Sequence, residues 1–187
     1  MSAAKGLAEG KLATSLPRRW EHVKAVADKA PGIAPILGPD ERPLLVAAAW
    51  LHDIGYAPDI VETGSHALDG ARWLRSEGCC VRLAALVAHH SCALFEAEER
   101  GLAAELRTGF ADEETELRDA LWYADMTTGP DGQALNVHDR LAEVRARYGP
   151  EHLVTRFWAR AEPTLLAAVR RTEKRLAGRE FSTDVGL

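Results

Sequence analysis

Apolar residues in this chain recur at intervals of three and four and do not alternate over any convincing stretch. That spacing suits helices that bury one stripe, and it leaves no segment that reads as a half-buried strand. Leu16 to Ala30 predicts a helix with Trp20, Val23, Val26 and Ala27 on one face, ended by Pro31-Gly32. Pro39 to Leu51 predicts a second, with Asp40 and Glu41 in its first turn and Gly55 beyond its end. Further helices are expected over 65–76, 79–90, 93–101, Glu113 to Met126, Val137 to Tyr148, 151–160 and 163–177, with "TTGPDG" at 127–132 as a breaker. The fold class is all-α. The expected organisation is one helical bundle over 1–187, its core at 15–130 and helices 137–177 packed on it, with the first ~12 and last ~8 residues frayed.

Composition narrows the partners. Of 187 residues, 47% are apolar and 27% charged, and the net charge is -5. An acidic chain without a basic stripe is not built for a long nucleic acid. Arg170, Arg171, Lys174 and Arg175 read as a solvated helix face. No apolar run approaches the ~18 residues of a membrane span. The N-terminus lacks the apolar core of a secretory leader. Cys79, Cys80 and Cys92 are odd in number and form no CxxC pair, so a reducing cytoplasmic setting is expected. Oligomeric state is left open, a dimer included. Trp20, Trp50, Trp73 and Trp122 fall on apolar faces and are expected in the core.

The histidines carry the chemistry. His52 and Asp53 end an apolar helix, His66 opens one, His89 and His90 end another, and Asp125 ends a fourth after "LWYA". Each would be costly to bury alone. Several such costs together point to one compensation, a metal site at the mouth of a bundle. The mixture of imidazole and carboxylate suits Mn, Fe, Zn or Mg, and the absence of thiolates argues against a closed structural zinc site. Gly55 is expected to let the helix end in a left-handed or strained turn, so that His52 and Asp53 converge. His66 has a plainer reading, a helix N-terminus flanked by Ser65 and Asp69. Asp125 could instead cap the loop 127–132, though metal ligation is the favoured reading. His138-Asp139 and His152 read as structural.

"RRWEH" at 18–22, "HD" at 52–53 and "AD" at 124–125 resemble the H…HD…D signature of the HD-domain metal-dependent phosphohydrolase superfamily. The texture around them, R-x-x-H-x-x-x-V-x-x-x-A from Arg19 and A-x-L-H-D-I-G from Ala49, is similar too. The resemblance implies a helical fold and a first metal on His22, His52, Asp53 and Asp125. "HALDGARWL" and "VAHHS" resemble the segments with which some members hold a second ion. That would add His66 and, of the His89-His90 pair, His89 as ligand; His90 is the alternative ligand or a substrate contact. Tyr56 and Ser91 stand where cyclic-dinucleotide phosphodiesterases of this superfamily usually carry Lys and Glu, so the chain departs from that subfamily. The implied activity is hydrolysis of a small phosphoester, a nucleotide or a relative, with one or two divalent ions, Asp53 catalytic and Arg19 clamping phosphate. Two alternatives remain at this point: a di-iron oxygenase-like protein with the same six ligands, and a metal-stabilised binding or regulatory module.

Overall fold

The computed structural model describes residues 3–183, among which ten α-helices and no named strand occur. In chain order they are α1 (Ala3–Leu12), α2 (Pro17–Ile33), α3 (Arg42–Leu51), α4 (His66–Ser76) and α5 (Val81–Ala88). They continue as α6 (Ala93–Glu99), α7 (Ala103–Gly109), α8 (Glu116–Met126), α9 (Val137–Tyr148) and α10 (Leu153–Thr183). None is long and apolar enough to cross a membrane.

Helix α3 is the hub. Leu45, Ala48, Ala49, Trp50 and Leu51 are all buried, so it is apolar nearly all round, as a central helix must be. It packs against α1, α2, α5 and α8. Small residues at Ala48 and Ala49 let these neighbours approach closely. Helix α2 presents Val23, Val26, Ala27 and Ala30 at helical spacing. Trp50 and Trp122 are buried, and Trp20 and Trp73 pack half-buried against the same core.

Three expectations about boundaries change. The N-terminal segment is not frayed: α1 buries Ala8 and Leu12 completely, and Lys11 pairs with Asp59. Its apolar residues, Leu7, Ala8 and Leu12, have the spacing of a buried stripe. The expected fraying of the C-terminus falls largely beyond the described residues, and α10 runs to Thr183. Helix α2 continues through Pro31 to Ile33, because the ring deletes one backbone bond near the helix end while Ala30 and Ile33 stay buried. The two expected C-terminal helices are one. Pro163 lies inside α10, whose stripe of Phe157, Ala161, Leu165, Ala168 and Thr172 continues buried on both sides of it. Burial on α6 and α8 outweighs the lost hydrogen bond.

The C-terminal arginines are less free than their composition suggests. Arg171 grips the buried carboxylate of Asp119 through Nε and Nη2 at 2.6 and 2.7 Å, and Arg175 reaches Glu116 at 2.9 Å. Two-pronged pairing of this kind fastens α10 to α8.

Gly55 has a different role from the one expected. Its φ is not positive, and the chain leaves α3 through a short 3-10 turn, Ile54–Tyr56. A Cβ there would lie 1.9 Å from the carbonyl oxygen of His66 and 2.6 Å from the nitrogen of Gly70. The glycine is needed for close approach, because it seats the start of α4 against the end of α3. Gly55→Ala should therefore destabilise the fold by about 1–3 kcal/mol in urea unfolding, through overpacking against backbone. Gly10→Ala, in open space on α1, should be neutral or stabilise by up to ~1 kcal/mol. Equal midpoints for the two variants would contradict this packing.

Candidate metal centre

Six side chains from five places in the chain meet at one end of the hub. His22 comes from the middle of α2, His52 and Asp53 from the end of α3, His66 from the first position of α4, His90 from the turn after α5, and Asp125 from the last turn of α8. His22, His52, Asp53, His90 and Asp125 are buried, and His66 is half-buried. They form two groups, His22–His52–Asp125 and Asp53–His66–His90, and within each group one potential ligand atom per residue lies within 4.8 Å of the others. Asp53 joins the groups. Its Oδ2 is 3.4 Å from His52 Nε2 and 3.7 Å from His22 Nε2, whereas its Oδ1 is 3.5 Å from His66 Nε2 and 3.8 Å from His90 Nε2. One carboxylate thus turns an oxygen to each group.

Backbone carbonyls orient the rings. Nδ1 of His22 lies 2.9 Å from the Gly129 oxygen, Nδ1 of His52 2.9 Å from that of Ala49, and Nδ1 of His90 2.6 Å from that of Val87. A carbonyl only accepts, so each Nδ1 donates and each neutral ring keeps its lone pair on Nε2. Those Nε2 atoms point inward: His52 is 3.4 Å from His22, and His90 is 3.1 Å from His66. Converging ring nitrogens with carboxylate oxygens beside them form a donor set that a cation can complete. The set therefore suits a divalent metal, with its imidazoles fixed by the outer hydrogen bonds that metal-binding histidines typically make.

In the metal-free cluster the proton supplies that cation. Burial alone would lower the His52 pKa, but the carboxylates of Asp53 and Asp125 outweigh it and raise it to about 9. Asp53 moves the other way. Burial is overcome by the positive charges of Arg19 and His52, which hold its carboxyl well below the usual range. Asp125 is lowered likewise, with His22 and His52 lying against it. Burial and the neighbouring His90 keep His66 well below its ordinary value.

The surroundings were only partly foreseen. The breaker "TTGPDG" is part of the site: Gly129 accepts from His22, Thr127 accepts from Lys29 of α2, and Asp131 takes both prongs of Arg18. Ser65 makes no capping bond. Asp69 instead accepts from the amides of Glu62, Thr63 and Gly64, and so shapes the loop that delivers His66. Arg19 donates to Asp53 at 2.7 Å, and its guanidinium lies 4.1 Å over the Tyr56 ring. Tyr56 in turn stacks on His66, with centroids 4.1 Å apart at 14°.

The expectation for His89 is corrected. Its Nε2 donates to the carbonyl of Phe110 at 3.0 Å, away from the cluster, and His90 takes the inward place. Helix α5 ends at Ala88, so His89 is its terminal cap and His90 begins a tighter 3-10 turn that aims the next ring elsewhere. Sequence reading also missed Ser91 and Glu96. Ser91, at a left-handed φ of 45°, donates to Asp125. Strained backbone at a non-glycine residue is typical of functional sites. Glu96 is buried on α6 beside His66 Nδ1, at 3.8 Å, and pairs with Arg100. Its place on the apolar face of "ALFEAEERG" was the available signal. His138 and His152 are exposed and distant from the cluster in role: Asn136 caps α9 beside His138, and His152 stacks on Tyr148.

Metal must displace the His52 proton, so binding should weaken about tenfold per pH unit below about 9 and should release about one proton per chain near pH 7.5. The raised pKa stabilises the metal-free fold fully below about pH 6.5, and this contribution is lost as pH rises through about 9. Mn(II) should therefore raise the melting temperature more at pH 8.5 than at pH 6.5. A shift independent of pH would refute the ring protonation described here.

A family model described as HD domain matches residues 19–141, a span that contains all six residues of the cluster. Comparisons with curated proteins and with solved structures give no match. The matched span is about two thirds of the sequence. It runs through the α2, α3 and α8 positions that bring His22, His52, Asp53 and Asp125 together, and the chain belongs to the HD domain family, whose members are generally metal-dependent hydrolases.

Proposed function

We propose that the protein is a metal-dependent phosphohydrolase acting on a small phosphoester, a nucleotide or a related compound. One observation carries this reading. Asp53 turns its two oxygens to two histidine-containing groups at the wall of a cavity that is also lined by the cation Arg19. An anionic substrate entering there meets positive charge and the paired site together.

His22, His52 and Asp125 would hold one ion and His66 and His90 a second, with Asp53 shared between them. Such ions, when bound, polarise a phosphoryl oxygen and lower the pKa of a coordinated water. The remaining work falls to the chain. Ser91 keeps Asp125 oriented through its hydroxyl, and the carbonyls of Gly129, Ala49 and Val87 keep the rings aimed. Arg19 spends one donor on Asp53 and has others for a phosphoryl oxygen, in the fork geometry that suits phosphate. The Tyr56 ring supports that guanidinium from one side and His66 from the other.

The cavity is about 80 Å³, far below the ~300–1,000 Å³ of pockets that enclose drug-sized ligands. That size favours a phosphoryl group with a short attachment over a dinucleotide. The three cysteines are all unpaired, which suits the cytoplasmic setting we infer.

Phosphate release from mononucleotides, dinucleotides and simple phosphomonoesters, with the chain loaded with Mn or Fe, tests the reading. Asp53→Ala should lower turnover at least about 100-fold, and Arg19→Lys should raise KM about tenfold with a smaller effect on kcat. Equal release by wild type and Asp53→Ala would remove the assignment. Fewer than about one bound ion per chain after loading would remove the metalloenzyme reading itself.

A further inference from the structure

Opposite the histidines, the cavity is closed by α9 and α10. From "DRLAEVRARYG" the sequence suggests a solvated helix, yet Arg140, Val144 and Arg147 line the cavity from α9, joined by Tyr148 and Trp158. Arg140 is only 6% exposed. Its Nη1 is 2.6 Å from Glu143 Oε2, and Arg147 Nη2 is 2.7 Å from the same oxygen. Two guanidinium groups thus share one carboxylate oxygen, leaving an excess positive charge on this wall. Arg140 Nε is buried without a hydrogen-bond partner, and among the described residues no other side chain with such an orphaned atom lines this cavity.

The nearby acids are committed elsewhere. Asp131, which acts on Arg147, is held by Arg18 at 2.5 and 3.0 Å. Glu96 is held by Arg100, Asp53 by Arg19, and Asp125 accepts from Ser91. A buried guanidinium with an unused donor is costly unless an anion completes it. None of the acids lining the cavity is available to do so.

We propose that Arg140 and Arg147 form a second anion subsite, and that the substrate is a small phosphoester carrying a further negative group, a carboxylate or second phosphate, on a short linker. This deepens the hydrolase reading and rests on it for the reacting phosphoryl. The linker would lie along the apolar strip of Val144, Tyr148 and Trp158. The cavity volume of about 80 Å³ suits a short linker.

The test uses two probes with no ester bond to hydrolyse, so it is independent of turnover. Methylphosphonate offers one anionic group; phosphonoacetate offers a phosphonate and a carboxylate. Calorimetric titration into the full chain, loaded with Mn and freed of excess metal, should show phosphonoacetate binding at least about tenfold more tightly. Arg147→Gln, at an exposed position, should reduce that preference to less than about threefold while leaving methylphosphonate affinity within about twofold. Arg140→Lys, which keeps the charge but loses the fork, should also reduce it if its circular dichroism remains that of wild type. No preference in the wild type, or a preference that survives Arg147→Gln, overturns the subsite. If the preference holds and no phosphoester is cleaved, the hydrolase reading fails and the subsite stands.

Discussion

A buried carboxylate with two faces organises this molecule. Asp53 sits almost out of water at the end of the central helix and keeps its negative charge because Arg19 and His52 lie against it. Isolated, such a charge would be strongly unfavourable. The helices therefore have to converge: α2 brings Arg19 and His22, α4 brings His66, the turn after α5 brings His90 and α8 brings Asp125. Each arrives through apolar sequence that buries the helix carrying it. The core and the charged cluster depend on one another, because the packing of α3 supplies the convergence and the cluster supplies the counter-charges.

Convergence alone would not make a metal site. The rings must present nitrogen lone pairs, and three carbonyl oxygens see to this by accepting from Nδ1 of His22, His52 and His90. Two of those carbonyls, Ala49 and Val87, lie three residues before the histidine they orient, at helix ends where carbonyls lack intrahelical partners. The third belongs to the loop after α8. Carbonyls at helix ends are thereby put to use for His52 and His90, which both stand just beyond a helix terminus.

The far wall has a different character. Helices α9 and α10 contribute arginines and aromatic rings, and α10 is fastened to α8 by Arg171 on Asp119. The cluster and this wall together enclose a small space with positive charge on both sides. Such a space, with cations on both sides, suits a small anion.

The sequence by itself determined the helical class, most of the helices between 16 and 148, the core tryptophans, and five of the six cluster residues. Helical spacing is a local property, and a histidine or aspartate at the end of an apolar run is visible without a fold. Only the tertiary structure decided which of two adjacent histidines turns inward. That choice depends on where α5 stops and on Phe110, distant in sequence, offering a carbonyl to His89. It also decided what Gly55 is for, since the clash it avoids is with backbone of α4 and not with its own turn. The continuity of α10 through Pro163 and the place of Arg140 and Arg147 were hidden for the same reason. A proline's cost and an arginine's exposure depend on what packs against them, and partners far along the chain are absent from local pattern.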